Sequence, residues 1–457
     1  MFTRKLALSA FIVGMTTVTA YAADLTTVTK TAIETNPEVQ AKWFEFLETL
    51  EIRDEAKGAY LPSIDLNAAY GKGQREFDNR DWFNQGQAEI SLTQMLFDGF
   101  KTKNKVEQRD YAALRSYYEL NAGLEEKAFE SARAYLDVQR YRELVELAKV
   151  NIANHQRVYT QVAQRTNQGV VNRADLSQIS GRLSLAETNL VTEQTNLSEV
   201  LARFHRLVGI EAPAVLAPDN LNLNVPTDRT VLLKNAYQNN YSLRAALSEI
   251  AYAKANAEEF KSNLYPRLDF VAKHGVYQNR NSFDERANPR DYGQDTAVEL
   301  RLNYNLYSGG SHRAAVNAAN ARVLRTEDMR NKACIDIRQN VTIALNNIQN
   351  YKNQMNWLQR HKDESLAVVV AYRDQFDIGR RSLLDVLDSE NESFQSNRAY
   401  ASALYDLKIS QLQALYSSNQ LLPALGIKRD NLPEVSDVSH REIDAENVCL
   451  NAAQAQS

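Results

Sequence analysis

The stretch Val298-Glu299-Leu300-Arg301-Leu302-Asn303-Tyr304-Asn305-Leu306-Tyr307 alternates without a break. Val298, Leu300, Leu302, Tyr304 and Leu306 fall on one side of an extended chain. Glu299, Arg301, Asn303, Asn305 and Tyr307 fall on the other. A period of two, apolar on one face and charged on the other, marks a strand between water and lipid or a core. The same alternation occurs earlier. Ile64, Leu66, Ala68 and Tyr70 oppose Asp65, Asn67, Ala69 and Gly71 after Leu61-Pro62. Ala88, Ile90, Leu92, Gln94 and Leu96 return after the polar stretch Glu76 to Gly86. Before Val298, Arg280 to Gly293 is an Asn-, Asp- and Arg-rich turn. The chain thus offers two β-hairpins, at about 63–97 and 267–307.

The hairpins belong to a larger repeat. Asn36, Glu55, Lys57, Pro62 and Asp65 recur 204 residues later as Asn240, Glu259, Lys261, Pro266 and Asp269. Leu92, Leu96, Gly99, Val106, Arg115, Ala134, Gly169 and Asp175 recur 210 residues later as Leu302, Leu306, Gly309, Val316, Arg325, Ala344, Gly379 and Asp385. The change of offset places a six-residue insertion in the second hairpin. The domains read as a first repeat at 23–215, a linker at 216–226 marked by Pro218 and Pro226, a second repeat at 227–425, and a tail at 426–457.

After each hairpin the period becomes helical. Lys101 to Gln168 holds no proline and one glycine, and a helix of that length is about 100 Å long. A turn at Gly169 leads to a returning helix. Its seam, Leu176, Ile179, Leu183, Ala186, Leu190, Leu197, Leu201, Phe204 and Val208, steps by three, four and seven as in a coiled coil. The spacing predicts helical hairpins at about 101–208 and 311–416. Such helices bury their apolar stripes only against neighbours.

The N-terminus reads as a secretory leader. Arg4 and Lys5 precede an apolar run, Leu6 to Val18, and Ala20-Tyr21-Ala22 is a cleavage site, so residues 1–22 are a signal peptide. No later apolar run reaches the length of a membrane helix. Without the leader the formal charge moves from −4 to −6, which argues against nucleic acid as a partner. An exported chain with four strands and no membrane helix enters lipid only through a closed barrel. Four strands cannot close one, and two copies give a cylinder filled by its own side chains. Three copies give twelve strands and room for a pore. The expected fold is mainly α with a small β part: a trimeric twelve-stranded barrel continued by a helical tunnel.

Asn36-Pro37, Tyr60-Leu61-Pro62, Leu96-Phe97-Asp98-Gly99, the turn Gly169 to Asp175, and Gly379 to Asp388 together resemble TolC-family outer-membrane factors, in order and spacing, over nearly the whole mature chain. Thr93-Gln94-Met95-Leu96-Phe97-Asp98-Gly99-Phe100 resembles most the branch serving type I secretion, adhesin exporters included. The resemblance implies a homotrimer in the outer membrane of a Gram-negative bacterium. It implies a periplasmic adaptor, an inner-membrane ATP-driven transporter and an exported protein cargo as partners, with lipid around the barrel. It assigns Asp385 and Asp388 to an acidic ring at the periplasmic entrance, Arg381 and Asp175 to a latch, and the turns at Gly169 and Gly379 to adaptor docking. The latch's tyrosine partner is Phe376 here, without a hydroxyl.

Other readings stand beside these. Asp175 and Asp385 sit three residues after Asn172 and Ser382, where an acid caps a helix and favours its dipole. Asp388 has Gln178 as its repeat counterpart, so the shared turn does not require an acid there. Cys334 and Cys449 fit a disulfide or two free thiols. The six histidines show no metal-ligand spacing, and no cofactor motif or catalytic constellation is present. A drug-efflux duct of the same fold and a soluble periplasmic coiled-coil scaffold are the alternatives. The polar tail after Pro433 is expected to be mobile except around Cys449.

Overall fold

The structure is a computed structural model describing residues 24–75, 80–217, 223, 225–279, 292–441, 445 and 448–449. The signal peptide, the tips of both strand turns (76–79 and 280–291), most of the linker and the end of the tail lie outside the described residues.

In order the chain forms α1 (Leu25–Thr35), α2 (Pro37–Gly58), β1 (Ser63–Arg75), β2 (Arg80–Phe97), α3 (Lys101–Asn167) and α4 (Arg173–Val208). The second copy forms α5 (Arg229–Asn239), α6 (Tyr241–Ser262), β3 (Arg267–Gln278), β4 (Tyr292–Asn303), α7 (Ser311–Asp377) and α8 (Leu383–Ser417), followed by the short α9 (Leu421–Ala424) and α10 (Val435–Val438). The repeated asparagines mark repeated caps. Asn36 Oδ1 accepts from Glu38 N at 2.9 Å, with Pro37 opening α2, and Asn240 Oδ1 accepts from Leu243 N at 3.0 Å. Asp98 starts α3, its Oδ2 accepting from Thr102 N at 2.8 Å and Thr102 Oγ1 at 2.6 Å. Gly99 follows with φ +66°, and a Cβ there would stand 2.6 Å from Tyr265 Cβ, so only glycine fits.

The strands form one antiparallel sheet in the order β1-β2-β3-β4. Its register aligns Ile64, Leu92, Ala272 and Val298 in one row and Asp65, Ser91, Lys273 and Ala297 in the next. One face is therefore apolar, and the other carries Glu89, Lys273, Glu299 and Arg301. The strand expected to reach Tyr307 stops at Asn303. Asn303 pairs with Arg267, the first residue after Pro266, and proline has no N–H to extend the ladder. Tyr304, Leu306 and Tyr307 are exposed.

Two compact units divide the chain. The first takes Met1–Ile33, Glu130–Leu223 and Tyr351–Ile409. Acids buried among its helices are each held by arginine. Asp137 contacts Arg140 at 2.7 Å and Arg203 at 3.5 Å, Glu193 meets Arg398, and Glu390 meets Arg373. Asp137–Arg140 lies within α3, whereas the other pairs bridge facing helices, where losing one partner would strand a buried charge.

The second unit takes Glu34–Phe129, Asn224–Asn350 and Ser410–Ser457. Phe46, Tyr117, Tyr118 and Tyr241 pack ring on ring, with centroids 5.6–6.5 Å apart. Cys334 and Cys449 are joined in a disulfide. The described part of the tail is not loose. Val438 is buried, Tyr117 donates its hydroxyl to Pro433 O at 3.0 Å, and Arg441 pairs with Glu107 at 2.5 Å. Composition conceals this because the buried groups, Ile427, Val438, Ala445 and Cys449, are few and scattered among polar residues.

Candidate functional site at the helical turns

Two glycine turns join the long helices in the first unit, and they are built alike. Gly169 has φ +74° and Gly379 φ +75°. Gly169 N bonds Thr166 O at 3.0 Å and Val170 N bonds Arg165 O at 2.9 Å. Gly379 N bonds Phe376 O at 3.0 Å and Arg380 N bonds Gln375 O at 2.8 Å. These paired bonds with a left-handed glycine end each helix in the Schellman manner. Beneath the turns Val158 and Val162 of α3, Ile179 of α4, Phe376 of α7, and Leu383, Val386 and Leu387 of α8 make one apolar cluster.

The returning helices start with different caps. Asn172 Oδ1 accepts from Ala174 N at 3.3 Å. Ser382 Oγ accepts from Asp385 N at 3.2 Å and donates to Asp385 Oδ2 at 2.8 Å. Asp385 is thus a capping residue in this structure, and Arg381 Nη1 lies 3.7 Å from its Oδ2. Asp388 is exposed on the next turn, and its Oδ1 accepts from Arg182 Nη2 of α4 at 2.8 Å.

Asp175 and Arg381 form no ion pair with each other among the described residues. Arg381 donates from Nε to Gln375 Oε1 at 3.1 Å, and its guanidinium lies 3.9 Å from the Tyr372 ring centroid. Phe376, at the family's tyrosine position, is buried with Arg165 over its ring at 5.2 Å. Sequence reasoning missed Tyr372 and Arg182. Tyr372 lies one helical turn before Phe376 and carries the hydroxyl that Phe376 lacks, which is a legible signal. The Arg182–Asp388 pairing depends on how α4 meets α8, which neither helix's own periodicity reveals.

The profile of the outer membrane efflux proteins matches residues 28–210 and 232–418, one match per repeat. The chain belongs to that family. It is 24% identical to the outer membrane protein TolC of Escherichia coli (strain K12) over 389 residues, 82% of this chain and 78% of that one. It is 23% identical to the alkaline protease secretion protein AprF of Pseudomonas aeruginosa over 400 residues, 82% of this chain and 80% of the relative. Among solved structures, the Campylobacter jejuni CmeC outer membrane channel aligns with a TM-score of 0.77 at 14% identity, covering 90% of this chain and 88% of that one.

Membership in the outer membrane efflux family makes this an outer-membrane channel-tunnel protein with an internal repeat. The soluble-scaffold alternative falls with it. Among the described residues no helix is long and apolar enough to cross a membrane, and the sheet's apolar face is the part suited to lipid.

Proposed function

We propose that three copies of this chain assemble into a passive duct for type I protein secretion. The observation that carries the assembly is the open sheet. Its order β1-β2-β3-β4 leaves β1 and β4 as edges, and an even number of antiparallel strands lets β4 of one copy pair antiparallel with β1 of the next. Twelve strands then close a barrel with the apolar face in lipid and Glu89, Lys273, Glu299 and Arg301 toward water.

The secretion branch is supported by the likeness to the alkaline protease secretion protein AprF. The likeness to outer membrane efflux protein BepC of Brucella suis supports an efflux duct, the alternative weighed above, as the second reading. In either system a periplasmic adaptor docks at the Gly169 and Gly379 turns; in the secretion reading an inner-membrane ATP-driven transporter supplies energy, and in the efflux reading a proton-driven pump does. Asp385 and Asp388 from three copies ring the entrance and favour cations, while Arg381 and Asp175, which do not pair with each other among the described residues of one chain, latch it by pairing between neighbouring copies.

Deletion of the gene tests the branch. Loss of a large protein from the medium with unchanged drug sensitivity is the expected result. Drug hypersensitivity with normal secretion reverses the assignment. For the assembly, outer-membrane extracts are expected to show a trimer that dissociates on heating.

A further inference from the structure

The two acids assigned to the entrance are not equivalent. Asp385 is tied within its own turn by Ser382 and Arg381. Asp388 depends on a residue of another helix, Arg182, at 2.8 Å. Neither member of that pair is dictated by the repeat. Asp388 has Gln178 as its counterpart in the first copy. Arg182 has Glu392 as its counterpart in the second, and Glu392 lies 2.8 Å from His361.

The Asp388 side chain keeps 57% of its surface exposed and the Arg182 side chain 31%. The carboxylate is therefore presented to solvent with a positive charge attached. A cation approaching it meets a dipole rather than a full negative charge.

We propose that Arg182 sets the charge of the entrance by neutralising Asp388, so that each copy contributes about one unit less negative charge than its acids alone suggest. This rests on the reading of Asp385 and Asp388 as entrance residues. It makes Arg182 a selectivity-determining residue and not part of the fold's support, because an exposed ion pair contributes little to stability.

The test is the reversal potential of the purified full-length mature protein in planar bilayers across a potassium chloride gradient. Arg182→Gln unmasks Asp388 and is expected to raise the potassium-to-chloride permeability ratio by at least about fivefold at low ionic strength, the factor by which one unit charge at contact distance in water favours the cation alone. Asp388→Asn frees Arg182 and shifts the ratio the other way. The double substitution returns it near wild type, and Arg182→Lys keeps the wild-type value. The differences shrink at high salt, where the Debye length falls to about 3 Å.

If Asp388→Asn shifts the ratio and Arg182→Gln does not, the entrance reading stands and the role of Arg182 is overturned. If neither shifts it, both fall. A change in conductance without a change in reversal potential assigns Arg182 a structural role and also overturns the proposal.

Discussion

Leu124 and Glu125 of α3 are each about 1% exposed, whereas their counterparts 210 residues later, Cys334 and Ile335 of α7, are 5% and 45% exposed. The two helices have the same length and the same order of flanking elements, yet only the first is sealed along this stretch. The difference comes from segments present once. α9 meets α3 through Leu422 at Glu125, and the tail lies against it through Pro433 at Tyr117 and Arg441 at Glu107. The tail meets α7 through the disulfide at Cys334. Leu324, Met329, Ile335 and Ile343 of α7 remain exposed. A duplicated backbone thus becomes two different surfaces, one covered by segments present once and one left open.

The largest expected effect comes from detaching the tail. The disulfide closes a loop of 115 residues, and chain entropy alone assigns such a closure about 4–5 kcal/mol. Replacing both cysteines with serine should lower the denaturation midpoint accordingly. It should also release the tail to proteolysis and make α3 as accessible to hydrogen exchange as α7. Unchanged exchange in α3 would show that the tail is not what distinguishes the two copies.

A second effect is a pH dependence that only the first copy has. Burial pushes Glu125 up from 4.5 to about 8, opposed by the Leu422 and Leu421 amides. The folded state therefore holds a proton that the unfolded chain releases above about 4.5. Stability from this group is fully present below that pH and is lost as pH rises through about 8, on the order of a few kcal/mol in total. Glu125→Gln should flatten thermal stability between pH 5 and 9 and raise it at the alkaline end. A wild-type midpoint that rises with pH over that range would contradict the assignment.

A third difference separates the turns. The apolar cluster beneath them takes Leu383, Val386 and Leu387 from the second copy but only Ile179 as a buried residue of α4. Leu387 is fully buried, and its counterpart is Ser177. Leu387→Ala should cost about 3 kcal/mol, and Ser177→Ala less than about 0.5 kcal/mol. Equal costs in denaturant titrations would mean that the two turns share the load.

Much of the fold is legible in the amino-acid order alone. Alternation at Val298 to Leu302, the glycines 210 apart and the proline-free helical runs each report a local preference, and local preferences repeat when sequence repeats. The caps at Asn36, Asn240, Asn172 and Ser382 are readable for the same reason. Arg182 on Asp388 and Leu422 on Glu125 are not. Each joins elements whose mutual rotation and register are set by packing, and no spacing within one helix encodes that. The tail reads as loose because its attachment rests on one cysteine and a few apolar residues, too sparse for a periodic signal.

The smallest effect tests where the two copies should agree. Gly169 and Gly379 hold nearly the same positive φ, and a Cβ at either would meet nothing within 4 Å. Substitution by alanine therefore carries only the torsional cost of a left-handed residue, about 1–2 kcal/mol. Because the cost is set by backbone alone, it should be equal at the two positions even though the side chains around them differ. If Gly379→Ala proves much the more costly, as read by denaturation midpoint or trimer yield, the second turn makes contacts that the first does not, and the shared backbone would no longer be a sufficient description of either.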